Sequence, residues 1–305
     1  MLVLGDSFIS KVYESTYIAL GSFDGLHMGH LRLINAAKEL ADSNNGKSMV
    51  FAFKNHPLTV INPELAPKIL MSNIEKLQIL EKLGVDIVNL VDFNKNFMAL
   101  SPEDFISNIV KAYNVKGMIV GFNYRFGYKN LGDVELLEEQ SKVHGYKLYV
   151  IDSVTFENEV VSSSRIRNAL ADGEIHKAKL LLTRPYAMSG KVIVGKQLGR
   201  TIGFPTVNLD YDKMFVIPRG GVYITELEYN DIVYKGITNV GYNPTFMDNK
   251  LNIETYIFDF NKEIYNENVK IYFLDRIRDE KKFNSIQALT HQMEKDKIIA
   301  EKYFH

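Results

Sequence analysis

The sequence predicts an α/β chain of two domains: a doubly wound sheet over residues 1–184, then a small antiparallel β-barrel with a C-terminal helix over residues 185–305. Three observations lead there. The chain has 305 residues, more than one ordinary domain needs. Its first half alternates short apolar runs with helical patterns, as strands of a covered parallel sheet and their crossovers do. After about residue 184 that alternation gives way to short strands and turn formers.

In the first half the strand candidates are 17–22, 47–53, 85–91, 116–121 and 146–151, several of them apolar on both faces. Helical patterns fill the intervals at 29–41, 72–83, 102–113 and 133–144. Ser101 precedes one as an N-cap, with Pro102 at the first helical position and Asp104 close behind. Two further helical patterns, beginning at Ser162 and Glu174, lead to a boundary expected near 182–185. Beyond it the strand candidates are 190–194, 221–229, 232–239, 251–258 and 269–273. Turn formers at 218–221, 230–231 and 243–244 separate them, and a helix over 284–303 closes the chain.

Composition bounds the function. Thirty-six Lys and Arg balance 37 Asp and Glu, for a formal net charge of −1. A nucleic-acid binder usually shows a basic excess, so any phosphate is expected in a local pocket. The absence of cysteine excludes a disulfide framework, a thiol nucleophile and Cys-ligated zinc. No apolar run reaches the roughly 18 residues of a membrane span, and the start MLVLGDSFIS lacks the pattern of a secretion signal. The expected location is the cytoplasm, with no nucleic-acid or membrane partner. The sequence sets no oligomeric state.

Gly21-Ser22-Phe23-Asp24-Gly25-Leu26-His27-Met28-Gly29-His30 joins the first strong strand to a helix. Its glycines permit a sharp turn and close approach to a ligand, and the helix start offers unpaired N–H groups to phosphate. His27 and His30, three residues apart, can point at one spot and donate to a polyphosphate. Val161-Ser162-Ser163-Ser164-Arg165-Ile166-Arg167 sets hydroxyls at a second helix start. They can cap it, or bind phosphate with an arginine one turn on. No lysine-containing P-loop is present.

The stretch 190–209 is the most specific in the chain. Gly195, Lys196, Gly199, Arg200 and Gly203 crowd the approach to Phe204-Pro205-Thr206, supplying backbone freedom, N–H donors and positive charge. Thr206 and Asn208 face one side of an extended strand, and two neutral oxygens there can hold Mg²⁺ with ATP phosphates. Downstream, Asn239 lies in Asn-Val-Gly-Tyr-Asn-Pro-Thr-Phe at 239–246, and Glu254 sits in a strand pattern among apolar and aromatic neighbours.

The His-x-Gly-His turn and the Ser-Ser-Ser-x-x-Arg run ending at Arg167 resemble the cytidylyltransferase-like nucleotidylyltransferases, with Ser164 where that family usually has Thr. Phe53-Lys54-Asn55-His56-Pro57 and Gly121-Phe122-Asn123-Tyr124-Arg125-Phe126-Gly127 look like the flavin-adenylylating branch. With Gly-Arg-x-x-Gly-Phe-Pro-Thr-x-Asn at 199–208 and Glu-x-x-x-x-Asp-Phe at 254–260, nearly the whole chain resembles the bacterial bifunctional riboflavin kinase/FAD synthetase family. Tyr256 departs from its common His.

The resemblance implies a Rossmann-like nucleotidylyltransferase domain and a riboflavin kinase barrel. The barrel would phosphorylate riboflavin to FMN; the first domain would adenylylate FMN to FAD. ATP would be the co-substrate of both steps and Mg²⁺ their metal. Glu254 would be the kinase base, Thr206 and Asn208 the Mg²⁺ ligands, and the 195–203 loop, with Pro205 and Asn239, the ATP cradle. His27, His30 and Arg167 would serve adenylyl transfer, with Gly21, Phe23, Asp24, Gly25, Ser163 and Ser164 binding nucleotide and Asn123 touching flavin or nucleotide. Two other readings stay open: a nucleotidylyltransferase with one live half, and a flavin-binding sensor that has lost catalysis.

Overall fold

A computed structural model describes residues 1–195, 198–242 and 251–305, with Leu198 and Tyr242 described by their backbone alone. The expected turn at 243–244, the end of the 239–246 motif and Lys196 lie outside the described residues. By compactness the chain divides into Met1–Ser162 and Ser163–His305.

In chain order the first unit comprises β1 (Leu2–Leu4), β2 (Thr16–Leu20), α1 (Met28–Ser43), β3 (Lys47–Phe53), α2 (Leu58–Ile61) and α3 (Asn73–Lys82). Then come β4 (Ile87–Val91), α4 (Lys95–Met98), α5 (Pro102–Tyr113), β5 (Val115–Gly121), α6 (Val134–His144), β6 (Lys147–Ile151) and the hairpin β7 (Thr155–Phe156) and β8 (Glu159–Val160). Six strands form one parallel sheet in the order β1-β4-β3-β2-β5-β6. Ile18 and Leu20 of β2 pack with α5 and α6 on one face, and Tyr17 and Ala19 pack with α1 and α3 on the other. A strand covered on both sides must be apolar on both, which is why β2 reads as a continuous run. The sequence pattern misses β1. Its three residues are too few to show a period, and pairing with β4 alone makes it a strand.

Local signals set the helix ends. Ser72, Asn94, Ser101 and Asp133 each accept a hydrogen bond from the backbone N–H three residues on, capping α3, α4, α5 and α6. Asn114 and Gly145 end α5 and α6 in the left-handed conformation.

The second unit begins with α7 (Ser163–Asp172) and α8 (Ile175–Leu182). β9 (Tyr186–Ile193), α9 (Leu198–Thr201), β10 (Thr206–Tyr211), β11 (Gly221–Tyr229), β12 (Ile232–Tyr242), β13 (Leu251–Ile257), β14 (Asn268–Arg278) and α10 (Ile286–Phe304) follow. The strands close a barrel in the order β10-β13-β12-β11-β14-β9, antiparallel throughout, with β9 returning to β10. The helices α7 and α8 belong to this unit: the Arg219 N–H donates to the Leu170 carbonyl at 2.9 Å, and Arg276 packs against Gly173. Inside the barrel the hydroxyls of Thr225, Thr238 and Thr255 form a buried chain with 2.8 Å links, so three polar side chains satisfy one another across three strands.

The outer face of β11, β12 and β14 packs under α10 through Val222, Ile224, Ile237, Leu274 and Ala300. One ion pair pins that helix. Asp296, 1% exposed, receives Arg278 Nε at 3.0 Å on both oxygens and Arg278 Nη2 at 2.7 Å. Removing one partner leaves a buried charge uncompensated, which typically costs about 3–5 kcal/mol. Asp296→Ala is therefore expected to lower the thermal transition of this unit by that equivalent. A melting curve within 1 °C of the parent's would show that α10 is held by its apolar contacts alone.

Candidate functional sites

In an open α/β sheet, ligands bind beyond the carboxyl ends of the strands, where the strand order reverses. Here the chain runs from β2 outward through β3 and β4, then returns to place β5 on the other side of β2. The reversal falls between β2 and β5. The loops that leave this edge are 21–27 after β2, 54–57 after β3 and 122–133 after β5; the first and third, with His30 in the first turn of α1, carry the first unit's expected site residues.

The loop after β2 is tightly bent. Phe23 (φ +49°), Gly25 (φ +82°) and Leu26 (φ +41°) all take left-handed backbone. For Phe and Leu that conformation is strained, and it persists only where the surroundings enforce it. Both side chains are fully buried, which supplies that enforcement. With no exposed surface of its own, Phe23 shapes the loop. Gly21 makes room for the ring, since a Cβ there would stand 3.1 Å from it. Asp24 accepts the Leu70 N–H at 3.0 Å.

The loop ends on His27, which caps α1: its Nδ1 accepts the His30 N–H at 3.4 Å. His27 is 5% exposed. With Nδ1 an acceptor, the neutral ring carries its proton on Nε2. The rings of His27 and His30 stack with centroids 3.7 Å apart and planes 18° apart, and Phe23 meets His30 edge-on at 5.2 Å. Gly29 permits the stack, because a Cβ there would stand 3.2 Å from the His27 ring. Two imidazoles thus sit together at a helix N-terminus, where the backbone dipole favours an anion.

After β3, Asn55 bridges to the neighbouring loop. Its side chain accepts the Phe93 N–H and donates to the Phe93 carbonyl, each at 2.9 Å, while His56 Nδ1 accepts the Leu58 N–H at 3.2 Å. After β5, Asn123 is exposed, with its amide oxygen 3.6 Å from where a Gly121 Cβ would stand. Phe122 is 50% exposed, Tyr124 stacks on Phe126, and Arg125 pairs with Asp133 at 2.9 Å. An exposed aromatic with an amide beside it, next to the sheet's reversal, suits a flat polar-edged ligand. Ser163, Ser164 and Arg167 occupy the first turns of α7, in the second unit.

The second site is set by strand register. Asn208 on β10 lies opposite Glu254 on β13, and Glu254 lies opposite Asn239 on β12. Directly paired residues project from one face, so an amide, a carboxylate and an amide form a row across three strands. All three are half-buried, whereas Leu209, Ile253, Thr255, Thr238 and Val240 beside them are buried. Thr206 stands opposite Tyr256, two residues along the same face, and Phe204 meets the Tyr256 ring edge-on at 5.0 Å. Tyr256 therefore helps to wall the site.

The glycine loop comes close to this row. A Cβ on Gly195 would stand 2.1 Å from Asn208 Nδ2, so any side chain there would push Asn208 out of its place. Gly199 lies against the Phe204 carbonyl, and its own carbonyl accepts the Phe204 N–H at 2.8 Å; Gly203 is left-handed at φ +83°. Pro205 follows this turn at the entrance to β10. Arg200 is held by Glu263 at 2.6 Å and by the Tyr265 hydroxyl at 3.3 Å, and the Glu263 carboxylate raises its pKa further. The donors of Thr206, Asn208 and Glu254 are all oxygens, the set that a hard cation such as Mg²⁺ takes, beside a cradle that a side chain at 195 would fill. Among the described residues no cluster of His, Asp and Glu with metal-ligand spacing occurs.

The sequence reading passes over Lys76. It is 4% exposed on α3, its Nζ 3.4 Å from the carbonyls of both Ser22 and Phe53. A signal was available: Lys76, Leu80 and Leu83 follow the i, i+4, i+7 stripe of the buried face.

Known protein families match the two halves of the chain separately. Residues 9–165 match the family model of FAD synthetase, and residues 182–304 match that of riboflavin kinase. A bifunctional riboflavin kinase/FMN adenylyltransferase of Bacillus subtilis is 37% identical over 97% of this chain and 95% of its own. Its counterpart in Escherichia coli K12 is 34% identical over 95% and 93%. A solved Streptococcus pneumoniae structure described as a macrolide-efflux protein superimposes with a TM-score of 0.90 at 32% identity, over 99% of each chain. With both domains matched in order and relatives spanning nearly its full length, the chain belongs to the bifunctional riboflavin kinase/FMN adenylyltransferase family.

Proposed function

We propose that the two sites divide the family's two reactions as follows. The barrel transfers the γ-phosphoryl of ATP to the ribityl 5′-hydroxyl of riboflavin, releasing ADP. The parallel-sheet unit joins the FMN phosphate to the α-phosphorus of a second ATP, forming FAD and releasing pyrophosphate. The observation that carries the reading is the Asn208–Glu254–Asn239 row, which sets one carboxylate between two amides beside a glycine loop that packs directly on Asn208. Such a carboxylate can accept the hydroxyl proton as the bond to phosphorus forms. The Thr206 hydroxyl and the Asn208 carbonyl would hold Mg²⁺, which when bound neutralises phosphate charge. Gly195, Gly199, Arg200, Gly203 and Pro205 border the phosphates on this reading, with Lys196 joining them on its motif.

In the first unit no side chain attacks. His27 Nε2 and His30 donate to the oxygens on which charge grows, and the N-terminus of α1 adds its partial positive charge. Gly21, Asp24 and Gly25 shape the backbone around the nucleotide, and Asn123 with Phe122 borders the flavin. Ser163, Ser164 and Arg167 are assigned to adenylyl transfer on their motif. Since both reactions consume ATP, they belong on this reading to the cytoplasm. The decisive assay incubates the protein with riboflavin, ATP and Mg²⁺ and resolves the products. Accumulation of FMN and FAD supports the reading; a one-function adenylyltransferase makes no FMN, and a sensor makes neither.

We place the functional boundary at 184/185, and the packing of α7 and α8 on the barrel makes a test of it. A fragment of residues 163–305 should melt higher than one of residues 185–305, because it keeps the buried Leu170, Ile175, Ala178 and Leu181. Both should make FMN and no FAD. A 185–305 fragment that is folded by circular dichroism yet inactive would move the boundary to Ser163.

Glu254→Gln keeps size but removes the basic oxygen. FMN formation should fall by about 10²–10⁴, while FAD formation from added FMN continues. A rate within a few-fold of the parent would leave phosphoryl transfer to positioning and metal.

His30→Ala should cost about 10²–10³ in FAD formation with FMN formation nearly intact. Gly29→Ala makes a sharper test of the stacked pair. Inside a helix this change ordinarily stabilises by roughly 1 kcal/mol, yet here the new methyl displaces the His27 ring. FAD formation should drop while the melting temperature holds or rises; unchanged FAD formation would mean that the stack is dispensable.

A further inference from the structure

Lys76 is a charged side chain in the position of a core residue. Burial lowers its pKa, and the nearby Asp24 carboxylate pulls it back. An ammonium in a protein interior is expensive, and a Met or Leu of similar length would fill the same stripe without that cost. What the charge gains is visible in its partners. Ser22 and Phe53 lie at the carboxyl ends of β2 and β3, and Nζ reaches both carbonyls at 3.4 Å.

Those contacts fall where the loop after β2 most needs restraint. Ser22 immediately precedes Phe23, the first of the left-handed residues, and the Phe23 ring sets the edge of His30. The loop has an anchor at each further point: Asp24 to the Leu70 N–H in its middle, and the His27 cap at its end. At its start the Gly21 N–H donates to the Phe51 carbonyl of β3 at 3.3 Å, and the Lys76 ammonium adds a side-chain link one residue further on, between Ser22 and the end of the same strand.

We propose that Lys76 is a positioning residue for adenylyl transfer: its buried ammonium clamps the Ser22 and Phe53 carbonyls together and so holds the strained Phe23–Leu26 turn that aims His27 and His30. The inference rests on the assignment of His30 to that reaction. It goes beyond that assignment by naming what fixes the imidazoles in place, from a helix that carries none of the residues assigned to the reaction.

The test uses the full-length protein with Lys76→Met, which keeps length and apolar volume. A displacement of about 1 Å at a reacting centre can cost on the order of 10²-fold. FAD formation from FMN and ATP should therefore lose about 10- to 100-fold in kcat, with KM for either substrate little changed and FMN formation at the parent rate. The ¹⁵N imidazole resonances of His27 and His30 should shift in the ligand-free protein, a change that a merely weakened fold does not produce. A kcat within two-fold of the parent with unmoved resonances overturns the proposal. Lys76→Gln, which keeps one donor, should fall between parent and Met, and it decides the matter if Lys76→Met does not fold. Failure of both variants to fold also overturns it, since a loop clamp is not required for the core. His30→Ala separates the two ideas: if it retains FAD formation, the site assignment fails; if it loses FAD formation and Lys76→Met does not, only the clamp fails.

Discussion

A hydrogen-bonded strand leaves its side chains only two directions, and a slip of one residue exchanges them. Both halves of this protein build their sites on that constraint. In the barrel, the pairing of β10, β13 and β12 brings Asn208, Glu254 and Asn239 into one row. The same pairing turns Thr238 and Thr255 inward, where they join Thr225 in a chain of hydroxyls. Moving β13 by one residue would bury the carboxylate and expose the threonine. In the large sheet of the first unit all six strands run parallel, so every loop after one of them leaves at one edge. The order β3-β2-β5 then makes neighbours of loops that are far apart in the chain.

On the proposed assignment the two sites would meet phosphate in different ways, and the difference follows from the architecture behind them. A parallel sheet must cross over through helices, and a crossover helix presents its unpaired N–H groups at the sheet's carboxyl edge. The first unit caps that end with a ring, His27 accepting the His30 N–H on its Nδ1. Antiparallel strands need no crossover helix between them. The second unit relies on a glycine loop folded against its own strand, with Gly195 against Asn208 and Gly199 against the carbonyl of Phe204. Backbone donors come from a helix in one case and from a turn in the other.

Strain is also distributed unequally. In the first unit, left-handed Phe23 and Leu26 are fully buried, so their packing has to hold an unfavourable backbone in place. Many of the remaining left-handed residues are Gly or Asn in turns and helix ends, where the conformation costs little. Phe8, Lys129 and Glu157 in the first unit and Thr183 in the second share that geometry, but only in the loop that carries the stacked imidazoles do two fully buried apolar residues adopt it within four positions.

The alternation of apolar runs and helical patterns, the break near residue 184 and the turn residues beyond it were enough to determine a doubly wound sheet followed by a barrel. Each depends on a period or a local propensity that a short window of sequence contains. The glycines at 21, 195 and 199 and the histidines at 27 and 30 were legible for a similar reason: their spacing along the chain is their geometry. Tertiary structure alone decided the rest. Strand β1 exists because β4 is beside it, and α7 and α8 pack on the barrel although the sequence assigns them to the first half. Arg200 turns to Glu263, a partner that no spacing rule pairs with it. Lys76 reads as one more charge on a helix until the fold buries it over the ends of β2 and β3. Such features depend on which distant residues become neighbours, and that is a property of packing rather than of any local stretch of the chain.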